Sequence, residues 1–227
     1  MVSVNIILAI TQFIWLLSYK SLYRKFLVVF LVTEKDYFME NDFFVETEES
    51  TIGKYSPDFE IPGIDKEVYH LGTELKKYKA IAVVFMGNDS PEVDKYVDRL
   101  KEIQAEFQPQ GVTIIGIDSN YRQEPIADSF ESMKSFAAKH ELNFPYLKDP
   151  TQDVAKSFKA QLMPTVFLLD NQTIIRYAGR IDDSPESTEG VKNNYLRDSI
   201  SLLLADKTLP TDYIEPVGTP IIWRTKS

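Results

Sequence analysis

The 227-residue chain is predicted to be an α/β protein, a mixed central sheet with helices on both faces. Three observations predict it. The runs "AIAVVF" at 80–85 and "VTIIGI" at 112–117 are continuous, apolar and rich in β-branched residues, the texture of strands buried on both faces. A helix-length segment separates them, so the two strands should run parallel, joined by a right-handed crossover. Farther on, "MPTVFLLDNQTIIRYAG" contains two more apolar runs, 165–169 and 173–177. Asp170, Asn171 and Gln172 join them, which reads as an antiparallel hairpin.

Each helix has its own signal. In the first, Val93, Tyr96, Val97, Leu100, Ile103 and Phe107 recur at intervals of three and four, one buried stripe with Asp94, Lys95, Asp98, Arg99 and Lys101 outside it. The second is read from "DSFESMKSFAAKH", where Asp128 and Glu131 have capping-box spacing and Phe130, Met133, Phe136 and Ala137 form the stripe. A short helix precedes the hairpin. A last helix over 192–205 turns Tyr195, Leu196, Ser199, Ile200 and Leu203 inward. The predicted order is β-α-β-α-(short helix)-β-β-α, a parallel first half followed by an antiparallel second half.

Composition removes several functions. The net charge of −9 argues against a nucleic-acid binder, since neutralising phosphates requires clustered Lys and Arg. The chain contains no cysteine, which excludes disulfides, thiolate metal sites, iron–sulfur ligation and a cysteine nucleophile. His70 and His140 stand far apart, each without a second His at ligand spacing, so no metal or other cofactor is expected.

The ends differ from the middle. Residues 1–38 form a hydrophobic extension in which "MVSVNIILAITQFIWLL" is too short for a confident span of a bilayer core that takes about 20 residues. Lys20, Arg24 and Lys25 follow this run instead of preceding it, unlike a secretory signal. Two readings fit: an N-terminal anchor with a cytoplasmic basic flank, or upstream sequence attached by a wrong start choice, with Met39 as the true start. The expected location is cytoplasmic, with membrane association possible only through residues 1–38. Residues 39–55 read as an acidic linker, 56–208 as the folded domain, and 209–227 as an extended, Pro-punctuated tail lying on it through Ile221, Ile222 and Trp223.

The place where chemistry is expected is "MGNDSPEVDKYVDRL", a short loop between a buried strand and a helix. A helix N-terminus presents unpaired N–H groups and partial positive charge. Asp89 or Ser90 can accept those bonds, and Pro91 suits the first turn because it has no donor to orphan. In "GRIDD", Asp182 and Asp183 beside Arg180 could meet a hard cation, but two carboxylates without further oxygen ligands favour a solvated turn.

The element order, the loop after "AVVF" and the apolar-Pro-Thr step at Met163-Pro164-Thr165 resemble the thioredoxin fold, in which that proline is cis and faces the start of the first long helix. The stretches "SPDFEIPGID", "VVFMGNDSP", "IGIDSN", "DSFESMKSFAAKHELNFPYLKDPTQDVAKSF", "MPTVFLLD" and "YAGRIDD" are similar to peroxiredoxin-like members of the alkyl hydroperoxide reductase/thiol-specific antioxidant (redoxin) family, from Ser56 to Trp223. The resemblance implies a thiol-dependent antioxidant oxidoreductase. In those relatives the loop reads Cys-Asn-His-Cys-Pro, and a Pro-Val-Gly-Cys segment precedes a Trp-containing end. Here the loop is Gly87-Asn88-Asp89-Ser90-Pro91 and the later segment is Pro216-Val217-Gly218-Thr219. Every family thiol is replaced, so the expected catalytic residues are none. Reducing a peroxide or exchanging a disulfide needs a sulfur nucleophile. Ser90 as a substitute nucleophile would need a base, and the family His position holds Asp89, so a plain N-cap is favoured. The expectation is a pseudoenzyme, a binding or scaffold module. Its contact site would lie between the loop and the proline and comprise Asn88, Asp89, Met163, Pro164, Thr165 and Arg180, for a protein partner or small ligand. The alternative is an oxidoreductase role kept through a partner's thiols or a non-thiol group.

Overall fold

The two apolar runs form the middle of the sheet. In the computed structural model, which describes residues 50–225, they are β3 (Ala80–Phe85) and β4 (Val112–Asp118), every residue of both buried. They pair in parallel, Ala80 opposite Val112 through Phe85 opposite Ile117. The hairpin partners are β7 (Thr165–Asp170) and β8 (Ile175–Gly179), with β7 antiparallel to β3. A third parallel strand, β5 (Tyr146–Lys148), completes the order β5-β4-β3-β7-β8. Expectations for residues 1–49, the hydrophobic extension and most of the acidic linker, lie outside the described residues.

Around this sheet stand a hairpin of β1 (Glu60–Pro62) and β2 (Val68–His70) and the helices α1 (Leu71–Glu74), α2 (Pro91–Asp94), α3 (Val97–Phe107), α4 (Ile126–Lys139), α5 (Asp153–Phe158) and α6 (Tyr195–Leu204). Two short strands, β6 (Leu162–Met163) and β9 (Thr219–Pro220), pair antiparallel with each other. This is an α/β sandwich with a mixed sheet. Phe85, Phe158 and Phe167 tie α5 to the sheet, their ring centroids 5.1–5.8 Å apart and steeply inclined, the arrangement aromatic quadrupoles prefer.

Several local expectations change. The first helix is two helices: the Tyr96 N–H bonds the carbonyl of Val93, closing a tighter turn after α2, and Tyr96 then leads α3. The apolar stripe from Val93 to Phe107 is buried as its spacing requires. Arg99, expected on the outer face, is buried because its guanidinium meets Asp182 at 2.6 Å, the carbonyls of Ser184 and Pro185, and the Tyr96 ring. Helix α4 begins at Ile126 with Pro125 as its N-cap, so position 128 lies inside the helix and not at its start. The hairpin turn is stitched by Asp170, whose carboxylate accepts from the N–H groups of Gln172 and Ile174, and β8 consequently starts later than its apolar run. The β1–β2 hairpin, β5 and the β6–β9 pair have no period of their own long enough to read.

Burial sets the alkaline response. The phenols of Tyr146 and Tyr177 are pushed up by burial, and that of Tyr96 by burial and then by Asp182. Above pH about 10 the unfolded chain sheds these protons while the folded chain keeps them, so stability falls as pH rises. Lys148 acts in the opposite sense and at lower pH. Burial pushes its ammonium down, so between that lowered value and the unfolded one the unfolded chain binds more protons and stability rises with pH. Above pH about 10 these tyrosines dominate, together with Tyr69, whose phenol is pushed up by burial and then by its hydrogen bond to Asp65. The urea midpoint is expected to drop between pH about 10 and about 11.5, and to drop less in Tyr146→Phe. An identical drop in that variant would rule out the Tyr146 phenol as a cause.

Candidate functional site

The loop between β3 and α2 is held shut by its own side chains. Ser90 is the N-cap of α2: its Oγ accepts the Val93 N–H at 3.4 Å, and Pro91 takes the first helical position. Asp89 does not cap. Its Oδ1 accepts from Asn120 Nδ2 at 2.8 Å and lies 3.2 Å from Arg122 Nη2. Asn88 accepts from Arg122 and donates to Ser132 on α4, both at 2.5 Å. A Cβ on Gly87 would sit 2.8 Å from Asn120 Nδ2, 2.9 Å from Asp89 Oδ1 and 3.2 Å from the Met163 methyl. The space for a side chain at 87 is taken by the Asp89–Asn120 bond.

Beneath the loop lies a buried ionic network at the end of β4. Asp118 is fully buried; it accepts from Arg122 at 2.7 Å and from the Asn120 N–H at 2.8 Å, and lies 3.4 Å from the Lys148 ammonium. Lys148 in turn donates to the Asn120 carbonyl at 2.8 Å. Asn120 therefore faces three ways: to Asp118 and Lys148 below, to Asp89 in the loop, and through Oδ1 to the N–H of Ile222 in the tail.

The tail crosses the site as a strap. Ser90 donates to Thr219 Oγ1 at 2.9 Å, β9 pairs with β6, and Ile221 N–H bonds the Gln161 carbonyl. Tyr121 N–H and Gln152 Nε2 both donate to the Ile222 carbonyl, and Arg224 N–H donates to Gln152 Oε1. Gly218 passes so close to the cis Met163–Pro164 peptide that a Cβ there would lie 2.1 Å from the Met163 oxygen.

With this geometry in view, known proteins supply the family. The sequence pattern of the AhpC/TSA family matches residues 52–178, more than half of the chain. The chain belongs to the AhpC/TSA family. Thiol-disulfide oxidoreductase ResA of Bacillus anthracis is 24% identical over 149 residues, 66% of this chain and 81% of that protein. Among solved structures, an uncharacterized conserved protein from Geobacillus kaustophilus aligns with a TM-score of 0.71 at 30% identity, covering 78% of this chain and 94% of its own. A hypothetical protein from Sinorhizobium meliloti 1021 aligns with a TM-score of 0.72 at 28% identity, covering 78% and 97%. Thioredoxin-like neighbours at lower identity share the fold.

In this AhpC/TSA chain the hydroxyls of Ser90 and Thr219 meet at 2.9 Å. Neither has a histidine among its hydrogen-bond partners. His70 lies 3.3 Å from Asp58, and His140 stacks on Phe136 and lies 3.7 Å from Asp94. The pair is a cap and a clasp.

The sequence-predicted contact residues fall into three groups. Asp89 and Met163 converge at Gly87 together with Asn120, while Asn88 is bonded to Arg122 and Ser132. Pro164 adjoins them, covered by Gly218. Thr165 is buried and donates to the Leu162 carbonyl. Arg180 donates to the Glu215 carbonyl of the tail, and the cation that grips the loop is Arg122 instead. Asp182 and Asp183 also part company: the first pairs with Arg99, the second accepts from the N–H groups of Lys192 and Asn193. Sequence reasoning missed Asn120, Arg122 and Lys148. For Asn120 and Arg122 the signal was the run "DSNYR" at the end of a buried strand, where polar residues must either reach solvent or find partners; Lys148 carried no such signal.

The strap's hold is modest. Ile221 is its one well-buried large apolar side chain, contributing about 1.5–3 kcal/mol, while Val217, Ile222 and Trp223 are exposed. Its hydrogen bonds add about 0.5–1.5 kcal/mol each, and fixing each residue's backbone costs about 1–2 kcal/mol.

Proposed function

We propose that this chain is a thiol-less AhpC/TSA protein that works by binding, as a scaffold or contact module, through the loop residues Asn88 and Asp89 and the Met163, Pro164 and Thr165 step that lies buried behind them under the tail, with Arg180 at its margin. The observation that carries this reading is the Ser90–Thr219 hydroxyl pair at 2.9 Å in a chain without cysteine. A hydroxyl has no sulfur with which to form a sulfenic acid or mixed disulfide, and no histidine base is bonded to either oxygen. The side chains around the loop are spent on holding its shape, as suits a rigid contact surface. The partner is a protein or a small ligand recognised by the Asn88 and Asp89 amide and carboxylate beside an apolar Met163–Pro164 step. The folded domain of this reading is 56–208, with 209–227 as its tail.

No helix among the described residues is long and apolar enough to cross a membrane. We propose a cytoplasmic location for the domain, with anchoring to a membrane through residues 1–38 as the alternative.

The test is peroxide consumption and disulfide reduction by the purified full chain with a dithiol reductant, beside a metal-stripped blank. Rates at the blank level are expected. Turnover above it would overturn the reading and send the search for a non-thiol group to Asn88, Asp89 and Arg122.

A further inference from the structure

We propose that residues 216–225 form a releasable strap that covers the loop-and-proline face in cis, so that this face is presented only when the strap lifts. The function assigned to the exposed face rests on the binding reading above; the release itself does not.

Four observations carry it. The strap fills the strand-addition position beside the cis proline: β9 pairs with β6, and Gly218 lies against Met163 and Pro164. It also uses the loop's own capping residue, since the Ser90 hydroxyl that begins α2 is the one that donates to Thr219. Its remaining bonds end on Asn120, Tyr121, Pro150, Gln152 and Gln161, and one of these, Asn120, is bonded to both loop and strap. Finally, its apolar content faces out, with Val217, Ile222 and Trp223 exposed and Ile221 buried. A segment held mainly by hydrogen bonds at the surface opens locally, well before the core does.

The preceding stretch is fastened separately, which fixes where the strap would bend. Ala178 exchanges backbone bonds with Asp212 and Ile214, and Arg180 holds the Glu215 carbonyl. Release would therefore begin after Glu215, at Pro216 and Val217, and leave α6 and its connection in place.

The experiment is amide hydrogen exchange on the full chain, comparing the N–H groups of Ile221, Ile222 and Arg224 with those of Ile114 to Ile117 in β4. The strap amides are expected to exchange at least about 100-fold faster than β4. Gly218→Ala should speed them at least about tenfold more with β4 unchanged, because the added Cβ cannot fit against Met163. An oxidised Ser90→Cys/Thr219→Cys variant should bring them to within about tenfold of β4, and reduction should restore fast exchange. Strap amides that exchange at the β4 rate in the native chain would overturn the proposal, as would a crosslink that leaves them fast. If Gly218→Ala also loosens β4, the crosslinked variant alone decides. Thiol turnover by the native chain would overturn the binding reading while leaving these exchange rates as they are.

Discussion

The oxidised Ser90→Cys/Thr219→Cys protein is expected to melt about 5–15 °C above its reduced form. The two oxygens already lie 2.9 Å apart, and the residues are 129 positions apart in the chain. A crosslink closing so long a loop removes about 5 kcal/mol of unfolded-state freedom in the chain-entropy model, of which engineered bridges typically deliver about 2–4 kcal/mol. For a protein of this size each kcal/mol is worth about 2–4 °C. The chain has no other cysteine, so no competing pair can form. Calorimetry with and without reductant reads the effect directly. An oxidised form that melts no higher would mean that the Ser90–Thr219 clasp is not positioned as described.

Asp118→Ala is expected to cost about 3–5 kcal/mol, the largest loss of any single site substitution, because it removes the shared partner of two cations. Lys148 is 3% exposed and would keep only the Asn120 carbonyl as a neutral acceptor. Arg122 would lose its 2.7 Å anchor and with it the geometry that grips Asn88 and Asp89. The damage should therefore spread from a buried position to the loop above it. Urea denaturation gives the cost. Adding Lys148→Met to Asp118→Ala should recover at least about 1 kcal/mol, since an apolar side chain carries no unpaired charge to bury. Strictly additive losses would show that Asp118 and Lys148 do not interact.

Much of the fold was legible because its signals are local. "AIAVVF" and "VTIIGI" are buried at every position, and the Val93–Phe107 stripe lies inward although the helix is broken at Tyr96. Ser90-Pro91 started a helix where its chemistry said it would. The hairpin at 165–179 was visible for the same reason, with only its turn shifted by Asp170. Arg99 was misread because helical periodicity assigns a face by hydropathy. It cannot see that Asp182, 83 residues later, would supply a counter-charge inside the protein.

The site was less legible. Asn88, Asp89 and Met163 could be nominated from the loop and the proline step, whereas Arg122, which grips the loop, was not, and Arg180 donates to the tail. Both lie beside recognisable motifs, and only the return of the chain from β4 puts one of them on the loop. The tail was read as lying on the domain, and Ile221 is indeed buried there, whereas Ile222 and Trp223 are exposed.

The sequence by itself determined that this chain cannot carry out thiol chemistry, since composition is a complete inventory of reactive groups, and it determined the strand and helix segments whose periods are written in consecutive residues. Only the tertiary structure decided that the Ser90 and Thr219 hydroxyls meet, that Asn120 joins loop, strap and ionic network, and that the strap covers the proline. Those contacts join residues far apart in the chain, and their partners are chosen by packing and by the need to satisfy buried polar groups, which no local pattern encodes.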